Sequence, residues 1–542
     1  MKKTFCCGMG FLLGAFAFVV SSNAEPRYEE NLDKTFAVSP GGQLVISADM
    51  GPIHVVAGPS DKLEIHVMRR VDGGTQAEAA DLFSRHEVSF SQEGNTVTVK
   101  ARNKNHGFWG RNSTQRGLNV TYEVVAPRQF NMDLATAGGD ISLDDLEGKL
   151  AAHTTSGSIH AGKITGSLAA KDAGGDIVIK AVSQDAKAET TSGSIELDKV
   201  GGKIEASDAG GEIHLGNVAG TINAHTTSAS ISIGSAGGDV NAGNAGGDIH
   251  IDNADGNVAV QTTSASIRIG AANGETVKAE NRGGGIEILH ASGAVQAETT
   301  SASISIGSAL GNIDAKDAGG DIKIEKADGN VAVQTTSGSI RLGTVKGERI
   351  KAEDRGGDIA VLHANGAVDA DTTSGSIKID FAAGSVKAGD AGGDIKIDIA
   401  GKDVDAHTTS GTIHIGSAQG RIEARNAGGD VKIANASSAV NVETTSGTID
   451  VSFSTPPKED CRLVVMGGNI NASVPPSSSL DIDEQALGGA AKSDLPLSES
   501  NAGANTLRGL LNAGGPKLTL HCTSGDIHLK SSSPLKEADA AH

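Results

Sequence analysis

Two short stretches of this sequence collect side chains that could do chemistry. Glu280-Asn281-Arg282-Gly283-Gly284 is followed by Leu289-His290, and Glu353-Asp354-Arg355-Gly356-Gly357 is followed by Leu362-His363. Glu280, Arg282 and His290, like Glu353, Arg355 and His363, put a carboxylate, a guanidinium and an imidazole close together in the chain. That set suits an anionic or sugar ligand. The copies lie 73 residues apart, and each follows an extra residue in an otherwise regular pattern, at Gly274-Glu275-Thr276 and Gly347-Glu348-Arg349. The extra residues read as β-bulges. Duplication explains the pairing more simply, because Ala254–Gly270 closely matches Ala327–Gly343.

Other chemistries find less support. A carbohydrate-active enzyme on this scaffold would need paired carboxylates, or a basic and metal cluster, in a groove at the Arg282 and Arg355 patches. Aromatic platforms for sugar rings are scarce, since aromatics make up 3% of the chain. A calcium β-roll also uses 18 residues per coil, but its Gly-Gly-x-Gly-x-Asp step is missing here. Gly-Gly-Asp-Ile supplies one carboxylate only. The sequence offers no metal cluster, nucleophile triad or phosphate loop, and its glycine-rich strings are turns of a repeat. No cofactor is expected. A net charge of −20 argues against nucleic acid, whose phosphates need Lys and Arg.

The elements that must carry these residues are set by the repeat. Thr-Thr-Ser-(Gly/Ala)-(Ser/Thr)-Ile begins at Thr154, Thr190, Thr226, Thr262, Thr299, Thr335, Thr372, Thr408 and Thr444. Midway between these lies (Asp/Asn)-(Ala/Arg)-Gly-Gly-(Asp/Glu/Gly)-(Ile/Val), from Asp172 to Asn426. The basic period is 18, and each period splits into two turn-plus-strand halves. One half gives Ile-x-Ile, as at Ile249/Ile251. The other gives a slimmer pair, as at Val240/Ala242. Apolar pairs this short cannot make a core alone, but stacked coils can. Glycine every nine residues rules out helices. The predicted fold is all-β, a single long parallel β-solenoid. About seventeen coils between Ile159 and Ile449, stacked at about 4.8 Å, give a rod about 80 Å long.

Alternation of two coil types keeps like charges apart. The residue before the first Ile reads Ser158, Asp176, Ser194, Glu212, Ser230, Asp248. Carboxylates are thus about 9.6 Å apart, with hydroxyl rungs between them. The paired glycines are expected to supply positive φ at the corners. The residue between the two Ile positions forms a partly basic stripe, including Arg268, Lys323, Arg341, Lys378, Lys396 and Lys432. Local pairing accounts for it, as Asp321/Lys323, Asp394/Lys396 and Asp430/Lys432 lie two apart.

The predicted organisation has five parts. Residues 1–24 read as a signal peptide, with basic Lys2-Lys3, the apolar run Phe11–Val20 and the cleavage residues Ser22-Asn23-Ala24. Its removal would take two lysines and no acids, leaving −22. Residues 25–135 read as a strand-rich cap with irregular first coils, a short helix near Thr75–His86 and a loop holding the only Trp, Trp109. Residues 136–453 are the regular solenoid. Residues 454–530 are irregular C-terminal coils and a cap, and 531–542 a disordered tail. Cys6 and Cys7 leave with the signal. Cys461 and Cys522 remain, an even pair in an exported chain, and make a disulfide candidate that would tie the cap together.

The Thr-Thr-Ser-Gly-Ser-Ile and Gly-Gly-Asp-Ile coils, the strand-rich start and the closing Leu-Thr-Leu-His-Cys-Thr-Ser-Gly-Asp-Ile-His-Leu resemble the bacterial putative-adhesin domain family of unknown function. The resemblance covers nearly all of the chain after residue 24. It implies a β-solenoid at the cell envelope and supplies no catalytic residues. The expected role is therefore a non-enzymatic exported adhesin or structural scaffold in the periplasm, at the cell surface or outside the cell. Its partner would be a surface or envelope ligand of unidentified class, polysaccharide being one candidate. A carbohydrate-active β-helix enzyme and a calcium-dependent β-roll-like binding protein are the alternatives.

Overall fold

The computed structural model describes residues 26–104 and 117–532. The predicted signal segment, Trp109 and the tail beyond residue 532 lie outside the described residues. Each repeat forms one coil of a parallel β-solenoid, about 18 residues long, and the coils build two facing sheets. The isoleucine sheet is made of six-residue strands such as Ile249–Ala254. Over the regular coils the alanine sheet is made of four- to six-residue strands such as Val240–Asn244.

Local sequence explains both strand types. In Ile249–Ala254 the first, third and sixth side chains are buried, namely Ile249, Ile251 and Ala254. Strict alternation would bury the fifth residue, so the strand carries two consecutive outward positions before its corner. In Val240–Asn244, Val240 and Ala242 face inward and Asn244 turns into the corner. Large residues on one sheet and small ones on the other fill a narrow interior. Register is strict over the regular run: Ile231 pairs with Ile249 and Ile249 with Ile267, while Val240 pairs with Val258. The extra residues at Glu275 and Glu348 are not bulges. Val258 still pairs with Val277 and Val331 with Ile350, so each insertion is absorbed in a corner and the strands stay in step.

The corner leading into the isoleucine sheet contains a buried polar column. It alternates Thr with Asp or Asn, as in Thr190, Asp208, Thr226 and Asn244, all 7% exposed or less. Thr190 Oγ1 donates to Gly175 O at 3.2 Å, one coil below. Asp172 accepts from the backbone N–H groups of Ala173, Gly174 and Gly175 at 2.6, 3.1 and 2.6 Å. Asn244 instead sends its Nδ2 to Ala229 O at 2.6 Å. From Gly157 to Gly429 the corner glycines serve close approach rather than positive φ. Gly338 is not in the left-handed region, yet a Cβ there would lie 1.9 Å from Gly320 O.

Both ends are interlocked, which the repeat does not foretell. At the N-terminal end, Gly42–Ala48 lies between Thr96–Asn103 and Phe130–Thr136. The chain therefore lays its first coil between its second and its third. At the C-terminal end, Lys517–Ser524 lies between Cys461–Gly467 and Leu480–Ala486, and Ile527–Ser531 lies between Ile470–Val474 and Ala491–Ser493. Antiparallel strands finish each stack, with Arg27–Ala37 on Lys62–Asp72 at one end and Thr506–Leu511 on Leu480–Ala486 at the other. These cover strand edges that would otherwise template association. The predicted helix is Gln76–Arg85, with Thr75 and Glu78 forming a capping box. Buried Arg69 donates to Phe83 O and His86 O at 2.8 and 2.6 Å, satisfying carbonyls at the end of that helix.

The expected disulfide is not formed. Cys461 and Cys522 are both free and buried. They lie on adjacent parallel strands, but Cys461 pairs with Leu518 and Cys522 with Val465. A four-residue offset separates their Cα atoms by about 13 Å along the strands, beyond the reach of a disulfide. Cys522 Sγ donates instead to Gly468 O at 2.9 Å. Burial raises both thiol pKa values, which keeps them protonated.

Candidate functional site

The residues singled out by the sequence do not converge. Glu280 lies in Thr276–Asn281, on the alanine sheet, and Lys278 Nζ holds its carboxylate at 2.6 Å. Arg282 is exposed at the following corner. His290 lies in Ile286–Ala291, on the opposite sheet and near the opposite corner, where its Nδ1 meets Ser308 Oγ at 2.8 Å. Four strand residues, about 13 Å, separate the corner from the imidazole. The second copy repeats this. Glu353 is held by Lys351 at 2.6 Å, Arg355 is exposed at its corner, and His363 stacks on Phe381 with centroids 4.4 Å apart.

The basic stripe is a true column: Lys323 pairs in register with Arg341, and Lys378 with Lys396. Its neutralising partners differ from those expected. Lys323 binds Glu325 at 3.0 Å and Lys396 binds Asp398 at 3.2 Å, each with the residue two further along the strand. Asp321, Asp394 and Asp430 are otherwise engaged. Each accepts the backbone N–H one coil above, from Ser339, Thr412 and Thr448, all at 2.7 Å. These aspartates thus fasten coil to coil. Donation from Thr412 holds the Asp394 carboxyl below its usual range.

Concave surface does exist, on the outer face of the alanine sheet. A hollow of about 940 Å³ is lined by Thr276, Lys278, Gln296, Asn312, Asp314, Asn330, Arg349 and Lys351. A second, of about 670 Å³, shares Arg349 and continues past Asp369, Lys387, Asp405, Arg421 and Glu423. The corners that absorb the extra residues stand at Thr276 and Arg349, so they flank the first hollow. Small side chains between them, Ala294 and Ala332, open it. The isoleucine sheet carries a smaller hollow of about 500 Å³ around Lys323, Arg341, Leu362 and Lys378.

The second hollow holds the more unusual electrostatics. Lys351, Asp369, Lys387 and Asp405 occupy one position on four successive coils. Arg349 meets Asp369 Oδ2 at 3.1 Å, and Lys387 stands 3.6 Å from its Oδ1. Asp369 Oδ1 and Asp405 Oδ1 are nevertheless buried without a hydrogen-bond partner. Asp371, beside them, has its pKa raised by desolvation, with neighbouring Lys387 opposing. Among the described residues no group of three His, Cys, Asp or Glu side chains is placed to hold a metal ion. The hollows went unnoticed in the sequence, although Lys351, Asp369, Lys387 and Asp405 are evenly spaced at 18.

Comparison with known proteins gives a family and little more. The family described as Toastrack DUF4097 matches residues 45–241, 307–425 and 391–530. No curated protein matches the chain. It is similar to a "putative cell adhesion protein" from Clostridium sporogenes, 10% identical over 48% of this chain and 99% of that one, with a TM-score of 0.16. It is also similar to a "putative adhesin" from Bacteroides fragilis, 13% identical over 71% of this chain and 97% of that one, TM-score 0.11. A "putative lipid binding protein" from Parabacteroides distasonis is 12% identical over 69% of this chain and 96% of that one, TM-score 0.13. The family matches span well over half of the sequence, from the first coil to the last, and the chain belongs to the Toastrack DUF4097 family.

Proposed function

We propose that the chain is an exported, non-enzymatic binding scaffold of the cell envelope, acting as an adhesin or a structural rod. The observation that carries this reading is where the polar groups go. Corner carboxylates bind backbone N–H groups of the next coil, and surface cations bind carboxylates two residues away or on the neighbouring coil. The polar side chains so disposed maintain the stack, and what the molecule offers a partner is long, repetitive flanks. Basic Lys2-Lys3 and the apolar run ending at Ala24 support export. The acidic composition supports a partner other than nucleic acid.

One observation favours a carbohydrate-active enzyme as the second reading. Asp369 and Asp405 stand two coils apart, about 9.6 Å, in one hollow, near the separation of an acid–base carboxylate pair. Incubation of the purified protein with a panel of polysaccharides distinguishes the two. Retention of a polysaccharide with no new reducing ends or unsaturated products is the expected result. Product formation that Asp369→Ala and Asp405→Ala abolish would establish the enzyme instead.

A further inference from the structure

The two hollows of the alanine sheet share Arg349 and lie end to end along the solenoid axis, a furrow with the Arg349–Asp369 ion pair at its middle. It runs from the coil of Thr276 to that of Glu423, about eight coil steps or 38 Å. At its far end Arg421 is held by Glu459, at 2.8 Å, from the loop before Cys461. The furrow presents hydrogen-bonding groups of both senses at the spacing of the coils. Lys351 and Lys387 donate. Asp369 and Asp405, in the alternate coils, accept, each through a half-buried carboxylate.

That alternation selects the ligand. A polyanion would meet Asp369 and Asp405, and a polycation would meet Lys351, Lys387 and Arg349. A peptide adding as a β-strand needs a free sheet edge, and strands along the furrow are paired on both sides. A hydroxyl donates and accepts at once. A 1,4-linked pyranose in an extended chain advances by nearly one coil rise, so each coil would meet one sugar ring. We infer that this furrow binds an extended neutral polysaccharide laid along the solenoid axis. The inference rests on the binding reading above and gives it a site and a ligand class.

The test is a size ladder of neutral linear 1,4-linked gluco-, manno- and xylo-oligosaccharides, with uronate and sulfated oligomers as comparison, titrated against the folded protein. Affinity for a neutral series should climb with each added sugar and level off when the chain spans the furrow. Asp405→Ala and Asp369→Ala should each weaken it about ten- to a hundred-fold with unchanged melting. Lys323→Ala, on the other sheet, should leave it unchanged. Affinity that ignores length, prefers polyanions or survives both aspartate changes would overturn the inference. A protein still retained on intact envelopes in that case keeps the broader binding reading, and one retained on neither loses both.

Discussion

At the residue scale the buried corner column is the informative feature. Every coil from Thr136 to Thr444 places Thr, Asp or Asn at the same enclosed position, and the three residue types satisfy it unequally. Asn244 donates to the carbonyl one coil below, at Ala229. Asp208 has no proton to give, and its Oδ2 is buried without a partner, opposite Gly193 O. Asp208→Asn should restore that bond and raise stability by about 1 kcal/mol, read as a higher melting temperature. An unchanged or lower melting temperature would mean that the carboxylate is satisfied in solution. The thiols give a second residue-scale check. Protein spanning residues 25–542 should show two titratable thiols on unfolding, almost none when folded, and no dependence of melting on reductant. One disulfide and no thiols would contradict the four-residue offset.

At the scale of elements, strands and stacking were legible in the sequence and the ends were not. Ile249/Ile251 and Val240/Ala242 announce strands because period-2 burial is a local property. The pairing of Gly42–Ala48 between two later coils, and of Lys517–Ser524 between two earlier ones, depends on contacts far apart in sequence. The polar stretch Asp483–Ala504 reads as a loop, yet it holds strands, and in Leu480–Ala486 Glu484 is turned inward. The side chains of the His290 and His363 patches stand apart for a related reason: a coil sends consecutive strands to opposite sheets, so closeness along the chain is not closeness in space.

Glu484 makes the C-terminal coil sensitive to pH. It is fully buried between Leu507 and Leu520, neither carboxylate oxygen has a partner, and burial pushes its pKa up to about 8 from an ordinary 4.5. The folded state therefore holds a proton that the unfolded chain releases between pH 4.5 and 8. The stability it contributes is complete below 4.5 and is lost as pH rises through 8. Glu484→Gln should stabilise this coil at pH 8 by on the order of a few kcal/mol and leave it nearly unchanged at pH 4. Hydrogen exchange of Leu480–Ala486 against pH measures it. Equal protection of both proteins at every pH would show that the carboxyl reaches solvent or a partner.

At the scale of the whole molecule, coils contact chiefly their neighbours, so the fold is a rod held at both ends by interlocked coils. Length and repetition suit a molecule that meets an extended surface or polymer, and that role requires the rod to leave the cytoplasm. The most direct test of this claim is protease accessibility of the protein on intact host cells, with a periplasmic protein as control. Export predicts that the chain is cut on intact cells, or is released and cut with the periplasmic control when only the outer envelope is opened. Protection that persists until the cytoplasm itself is broken open would contradict the account.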